Sequence, residues 1–338
     1  MRKWIRVIFI TLLLAGGATV CVIRWQAWFG MPDEPVWTGD TLDYVFPNLS
    51  VQRSNSVAVY QSEGRSISPQ DDLTILILGD IHNRLTRADY DTLAARVPNA
   101  QAIIQVGDWL ERGQFYYRQL LLREWTNSAL YGLPVVSCPG NHEYTKGLGK
   151  HISPIWEQTF DHPHNGPIDV PGASYYVDLP QVRCIVIDTN PLVRTVNITR
   201  TITWLRRTMN EAGDRFIVVI MHHPVLSACK GRFNPQIYAA FRHVLKDADL
   251  VLAGHDHSYM RSGHFVVLNT GGKIKPQHDH LIADVTDSVP VYAILQCNGL
   301  TAKRSNSASG LTGEAGLTFT VHRLDDGTEI DSLYVQHD

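Results

Sequence analysis

Five times along the chain a run of strand-forming residues gives way abruptly to a short polar group, and this recurrence constrains the fold more than any other feature. Leu73-Thr74-Ile75-Leu76-Ile77-Leu78 leads into Gly79-Asp80-Ile81-His82, and Ala102-Ile103-Ile104-Gln105-Val106 leads into Gly107-Asp108. Leu133-Pro134-Val135-Val136 precedes Gly140-Asn141-His142-Glu143, Phe216-Ile217-Val218-Val219-Ile220 precedes His222-His223-Pro224, and Leu250-Val251-Leu252 precedes Gly254-His255-Asp256-His257. Runs that are apolar almost throughout suit strands buried on both faces. Leu85 to Val97 and Tyr116 to Leu130 read as helices between the first three runs, which makes the pattern β-α-β. Sheets of this kind gather polar groups from distant stretches of chain at the carboxyl ends of their strands.

The gathered groups are ligands for metal ions. Asp and His suit Zn, Mn or Fe, and two ions about 3.5–4 Å apart can clamp the attacking and departing oxygens of a phosphoryl displacement. Such a spacing needs a shared ligand. Asp108, alone at its strand end, is the candidate bridge, with Asp80, His82 and His257 expected on the first ion and Asn141, His222 and His255 on the second. A hydroxide shared by both ions would be the nucleophile, since coordination lowers the pKa of water to about 7. His142 adjoins a ligand without being one, so it is the expected general acid for the leaving oxygen, oriented by Glu143.

The series D-x-H, G-D, G-N-H-E, a later His and G-H-x-H resembles that of the calcineurin-like metallophosphoesterases, from about Leu73 to the last strand. The resemblance implies an α/β fold, a four-layer αββα sandwich of two mixed sheets flanked by helices. It implies the same seven ligands, with His142 as acid. The stretch Gly107-Asp108-Trp109-Leu110-Glu111-Arg112-Gly113 is similar to the G-D-x-x-D-R-G of serine/threonine phosphoprotein phosphatases, which implies that Arg112 grips phosphate. Glu111 stands where that group has Asp. His222-His223-Pro224 and Gly254-His255-Asp256-His257 are similar instead to phosphodiesterases and purple-acid-phosphatase-like proteins. True purple acid phosphatases place a Tyr at the position of Glu111, so no coloured tyrosinate-iron centre is expected. His223 reads either as a residue orienting a ligand or as a substrate contact.

A chain of 338 residues, 44% hydrophobic and 19% charged, is long enough for one large domain, expected over 73–338. Its net charge of -3 gives no electrostatic footprint for nucleic acid, so the expected partner is a small phosphoester. Residues 1–24 stand apart: Arg2, Lys3 and Arg6 precede an apolar run over 7–23, the pattern of an export signal or a membrane anchor. Either would put the catalytic domain outside the cytoplasm. Residues 25–72, with Gly30, Pro32, Pro35, Pro47 and Ser68-Pro69, read as a linker leading into the domain. Leu317 to His322 and Glu329 to Val335, joined through Asp326-Gly327, read as a hairpin added to the second sheet.

Other residues have plainer readings. Cys138 and Cys184 fall in apolar strands as buried thiols, whereas Cys229 on a loop is the one candidate for a disulfide. The pairs His162/His164 and His278/His280 read as surface loops, because neither has a second set of ligands. Trp204, Leu205 and Met209 fall at helical spacing and belong to a core. Asn48-Leu49-Ser50 and Asn197-Ile198-Thr199 match glycosylation sequons.

Overall fold

A computed structural model of the chain describes residues 50–54, 57–62, 65–67, 72–145, 151–160, 162–168, 173–194, 198–277, 283–298 and 316–336. Ser50–Ser54 (β1), Val57–Ser62 (β2) and Arg65–Ile67 (β3) form an antiparallel sheet of their own. The span expected as linker is therefore partly strand, which its Pro, Gly and Ser content had masked. The expected export signal or anchor over 1–24 lies outside the described residues. Among the described residues no helix is long and apolar enough to cross a membrane.

The first sheet of the main body contains Leu73–Leu78 (β4), Ala102–Gln105 (β5) and Val135–Ser137 (β6), all parallel. Arg87–Arg96 (α1) and Phe115–Trp125 (α2) make the crossovers. Helix α1 begins at a capping box in which Asp89 N–H donates to Thr86 Oγ1 and the Asp89 carboxylate accepts from Thr86 N–H. Helix α2 stops at Trp125, short of the expected Leu130, and tight turns complete the path to β6. Val291–Cys297 (β14) pairs antiparallel with β4, followed by Gly316–Arg323 (β15) and Glu329–Gln336 (β16). The C-terminal hairpin thus completes this first sheet, not the second: β14 occupies the free edge of β4 and presents its own edge to β15.

The second sheet centres on Val182–Ile187 (β8), Phe216–Met221 (β9) and Leu250–Ala253 (β10), parallel to one another, with Tyr175–Asp178 (β7) antiparallel at one edge. Phe265–Val267 (β12), Tyr259–Ser262 (β11) and Val285–Asp287 (β13) extend the other side. Pro154–Glu157 (α3) precedes β7, Ile198–Asn210 (α4) precedes β9, and Pro235–Phe241 (α5) precedes β10.

Alternation along each strand builds the layers. Leu73, Ile75 and Ile77 of β4 meet Cys184, Val186, Val218 and Ile220 between the sheets. Leu76 and Leu78 point the other way, onto Tyr90, Leu93, Leu122 and Trp125 of the helices. Beyond the second sheet, Ile185, Val219 and Met221 pack on Trp204, Leu205, Ile237 and Phe241. The order is helix, sheet, sheet, helix, the expected αββα sandwich, and it explains why the strands read as apolar on both faces.

Candidate metal centre

All five polar groups lie just beyond the carboxyl ends of β4, β5, β6, β9 and β10. The first three come from one sheet and the last two from the other, so the site spans the sandwich at one end. The β4 and β5 loops run side by side, with Asp80 N–H donating to Gly107 O (3.1 Å), His82 N–H to Asp108 O (2.9 Å) and Asn83 N–H to Trp109 O (2.9 Å). Among the described residues the non-glycine positions with positive φ are Asp80 (49°), His82 (51°), Asn83 (55°), Asp108 (55°), His255 (72°) and His257 (55°). Every one except Asn83 is an expected ligand, and residues in this region of backbone space cluster at functional sites. Close packing around Asp108 also demands glycine: a Cβ on Gly140 would sit 2.1 Å from Asp108 Oδ1.

The side chains converge in two groups that share one residue. Donor atoms of Asp80, His82, Asp108 and His257 all lie within 4.8 Å of one another. His82 Nε2 and His257 Nε2 are 3.2 Å apart, and Asp80 Oδ1 is 3.8 and 3.6 Å from them. On the other side His222 Nε2 lies 3.2 Å from Asn141 Oδ1 and 3.3 Å from His255 Nδ1. Asp108 Oδ2 reaches both groups, 3.7 Å from His82 Nε2 and 3.3 Å from His222 Nε2.

Contacts behind the imidazoles fix which nitrogen faces the centre. His222 Nδ1–H donates to Val106 O (3.0 Å) and His257 Nδ1–H to Lys273 O (2.9 Å), leaving Nε2 of each turned inward. His82 Nδ1 lies 3.4 Å from Glu111 Oε2. His142 Nδ1–H donates to Glu111 O (2.6 Å), so its Nε2 faces the cluster, 3.9 Å from Asp108 Oδ2. The residue that orients His142 is therefore Glu111, not Glu143 as expected. Glu143 is buried and accepts backbone N–H groups from Asp108 (2.9 Å), Leu110 (2.9 Å) and Gly140 (2.8 Å), which holds the β5 and β6 loops together.

Arg112 is half-buried, and its side chain has no hydrogen-bond or ion-pair partner among the described residues. Its neighbours grip His142 from both sides, since Glu111 O takes the ring N–H and Gly113 N–H donates to His142 O (2.7 Å). His223 is buried with Nδ1 2.8 Å from Thr189 Oγ1 and its ring 4.5 Å from that of His255. Cys229 is a free buried thiol whose Sγ–H donates to Asp256 O (2.8 Å), which removes it as a disulfide candidate. His162 is half-buried and His164 exposed, their rings 5.2 Å apart. His278, His280, Asn48 and Asn197 lie outside the described residues.

Electrostatics distinguishes the acidic residues. Burial holds Asp80 well above the usual carboxylate range, and the charge of Asp108 adds to this. Burial acts the same way on Asp108, but the charge and hydrogen bond of His222, helped by His142 and His82, outweigh it and hold Asp108 low. Burial would lower His222, yet its pairing with Asp108 raises it to about 9. Burial lowers His82 to about 3 and His257 to about 4, so both present a neutral lone pair at neutral pH.

The residues fit metal ions. Neither oxygen of the fully buried Asp80 accepts a well-formed hydrogen bond, although the His255 N–H lies near enough to act on its charge. A buried carboxylate left in this state is costly unless a cation completes it. The donor set of carboxylate, amide oxygen and imidazole suits Mn, Zn or Fe. Glu111 and Asp256 are the structural contributors that motif reading missed. Glu111 had stood out only as a departure from two motifs, and Asp256 occupied the free position of G-H-x-H.

A two-sheet sandwich with clustered carboxylates and imidazoles at the strand ends defines the architecture of a metallophosphoesterase. The chain belongs to the calcineurin-like phosphoesterase family, whose model matches residues 73–259. No curated protein matches it in sequence. In structure it is similar to the purple acid phosphatase PPD1 from yellow lupin (Lupinus luteus) seeds, with 12% identity and a TM-score of 0.61 over 83% of this chain and 59% of that one. It is also similar to GAP50, the anchor in the inner membrane complex of Plasmodium, with 15% identity and a TM-score of 0.54 over 79% of this chain and 90% of that one. At these identities the likeness is one of fold, and the chain spans 59% of the lupin protein's length.

Proposed function

We propose that the chain hydrolyses phosphomonoesters or phosphodiesters at a centre of two ions, Mn, Zn or Fe. Asp80, His82 and His257 would hold one, Asn141, His222 and His255 the other, and Asp108 both. The observation that carries this reading is the position of Asp108 Oδ2, within 3.7 Å of a nitrogen from each group. When bound, the ions supply Lewis-acid stabilisation of phosphate oxygens and a nucleophilic water at neutral pH.

The chain's own groups do the rest. His142, held at Nδ1–H by Glu111 O, turns its Nε2 toward the leaving oxygen, where a general acid must stand. Arg112, without a side-chain partner among the described residues and carried between the two backbone contacts that fix His142, supplies a guanidinium fork for the phosphate. His223 braces the rings of His222 and His255 from behind. The apolar run over 7–23 supports placing this activity outside the cytoplasm.

The test is the full chain, stripped of metal and reloaded with Mn, Zn or Fe, assayed on p-nitrophenyl phosphate and bis-p-nitrophenyl phosphate. Metal-dependent turnover is expected to vanish in Asp108→Asn and to fall about 10²–10⁴-fold in His142→Ala. An Asp108→Asn variant as active as the parent overturns the two-metal reading. Silence with both ions bound points to a scaffold of the same fold.

A further inference from the structure

Resting on the two-metal reading above, we infer that Arg232 and Lys275 form an anion subsite beside the centre, which takes a second anionic group of the substrate, a phosphate or a carboxylate. Neither residue belongs to the motif series.

The loop that carries Arg232 is built into the metal-ligand loop. Asp256, fully buried between His255 and His257, accepts from Ser227 Oγ–H (2.8 Å) and Ala228 N–H (2.6 Å). Cys229 Sγ–H returns a bond to Asp256 O, and Arg232 N–H donates to Cys229 O (3.3 Å). A third segment joins them: Cys229 bridges to Gln277, Lys230 N–H donates to Pro276 O (3.3 Å), and Lys275 N–H donates to His257 O (3.4 Å). Both cations are therefore carried on backbone fixed relative to His255 and His257.

The Arg232 charge acts on the buried Asp256 carboxylate, but the two do not form an ion pair. Arg232 and Lys275 are each half-buried, and among the described residues neither has an acidic group at ion-pair distance. Arg232 Nη1–H donates to His255 O, which uses one of its five donors. Its charge acts on His223, His255 and His257, and that of Lys275 on His257 and Cys229, so both stand close to the centre. Two dications exceed the charge of Asp80 and Asp108. Two further cations beside them add to that excess until an anion offsets it. A plain monoester places its only anionic group on the metal ions and leaves this pair unfilled. A substrate with a second phosphate or carboxylate fills both.

The experiment is calorimetric titration of the full chain, loaded with Mn and freed of excess metal, with three non-hydrolysable probes. Methylphosphonate carries one anionic group, methylenediphosphonate two, and phosphonoacetate one phosphonate and one carboxylate. In the double variant Arg232→Gln, Lys275→Gln, methylphosphonate is expected to bind within about threefold of the parent, while at least one two-anion probe weakens about tenfold or more. The probe that weakens more identifies phosphate or carboxylate as the natural second group. Equal weakening of all three probes overturns the inference in favour of a structural role for Arg232 at His255 O, and no weakening of either two-anion probe overturns it outright. Failure of methylphosphonate to bind the parent chain overturns the two-metal reading, and this inference with it.

Discussion

Glu111 touches two functional residues through two different groups. Its carboxylate faces His82 Nδ1 and its carbonyl holds His142 Nδ1–H, so the proposed ligand and the proposed acid share one anchor. Removing the carboxylate leaves the carbonyl in place. In Glu111→Ala the apparent metal affinity, read by calorimetry, is expected to fall about 10–100-fold, with Glu111→Asp recovering part of the loss. His222 gives a second outcome. Its folded pKa of about 9 lies above the ordinary 6.5, so the metal-free chain holds this proton at pH 7 and must release it when a metal takes Nε2. Affinity is therefore expected to rise from pH 7 to pH 9, by up to about tenfold per unit for one displaced proton. Titration in buffers of different ionisation enthalpy would detect the release. The converging side chains were legible in the sequence because each sits within four residues of a strand end. The hydrogen bonds of Glu143 were not, since its three backbone partners come together only when the β5 and β6 loops fold against each other.

The strands carried most of the readable information. β4 matches its apolar run end for end, and β5, β9 and β10 differ from theirs by a residue, because strands buried on both faces leave an uninterrupted apolar record. Helices were placed more loosely. Helix α2 ends five residues before Leu130, since the turns after Trp125 bury Leu130 without continuing the helix. β1, β2 and β3 escaped detection because their short pairing has no long apolar face to announce it. Helix α1 offers a test at this scale: Thr86→Ala removes the hydroxyl of the capping box and is expected to cost about 1 kcal/mol in urea denaturation. Thr86 is exposed, so metal affinity should stay as in the parent.

At the scale of the molecule, the two sheets meet through their apolar faces and again through the side chains of the candidate metal centre. Asp80, Asp108 and Asn141 follow strands of one sheet, and His222, His255 and His257 follow strands of the other, so ions held as proposed would tie the sheets together at one end. The chain should lose stability when stripped. With free metal at 100 times Kd, each ion adds about 2.7 kcal/mol, a rise of several degrees in Tm by calorimetric scanning. A Tm indifferent to chelator would mean that the ions do not bridge the sheets. The left-handed backbone at Asp80, His82, Asp108, His255 and His257 bears on how such a molecule could change over generations. Asparagine and glycine tolerate that conformation, and alanine or valine do not. A descendant that gave up the chemistry while keeping its shape would drift first toward Asn or Gly at these five places, and a rim written in those two residues would be the fossil of a lost metal site.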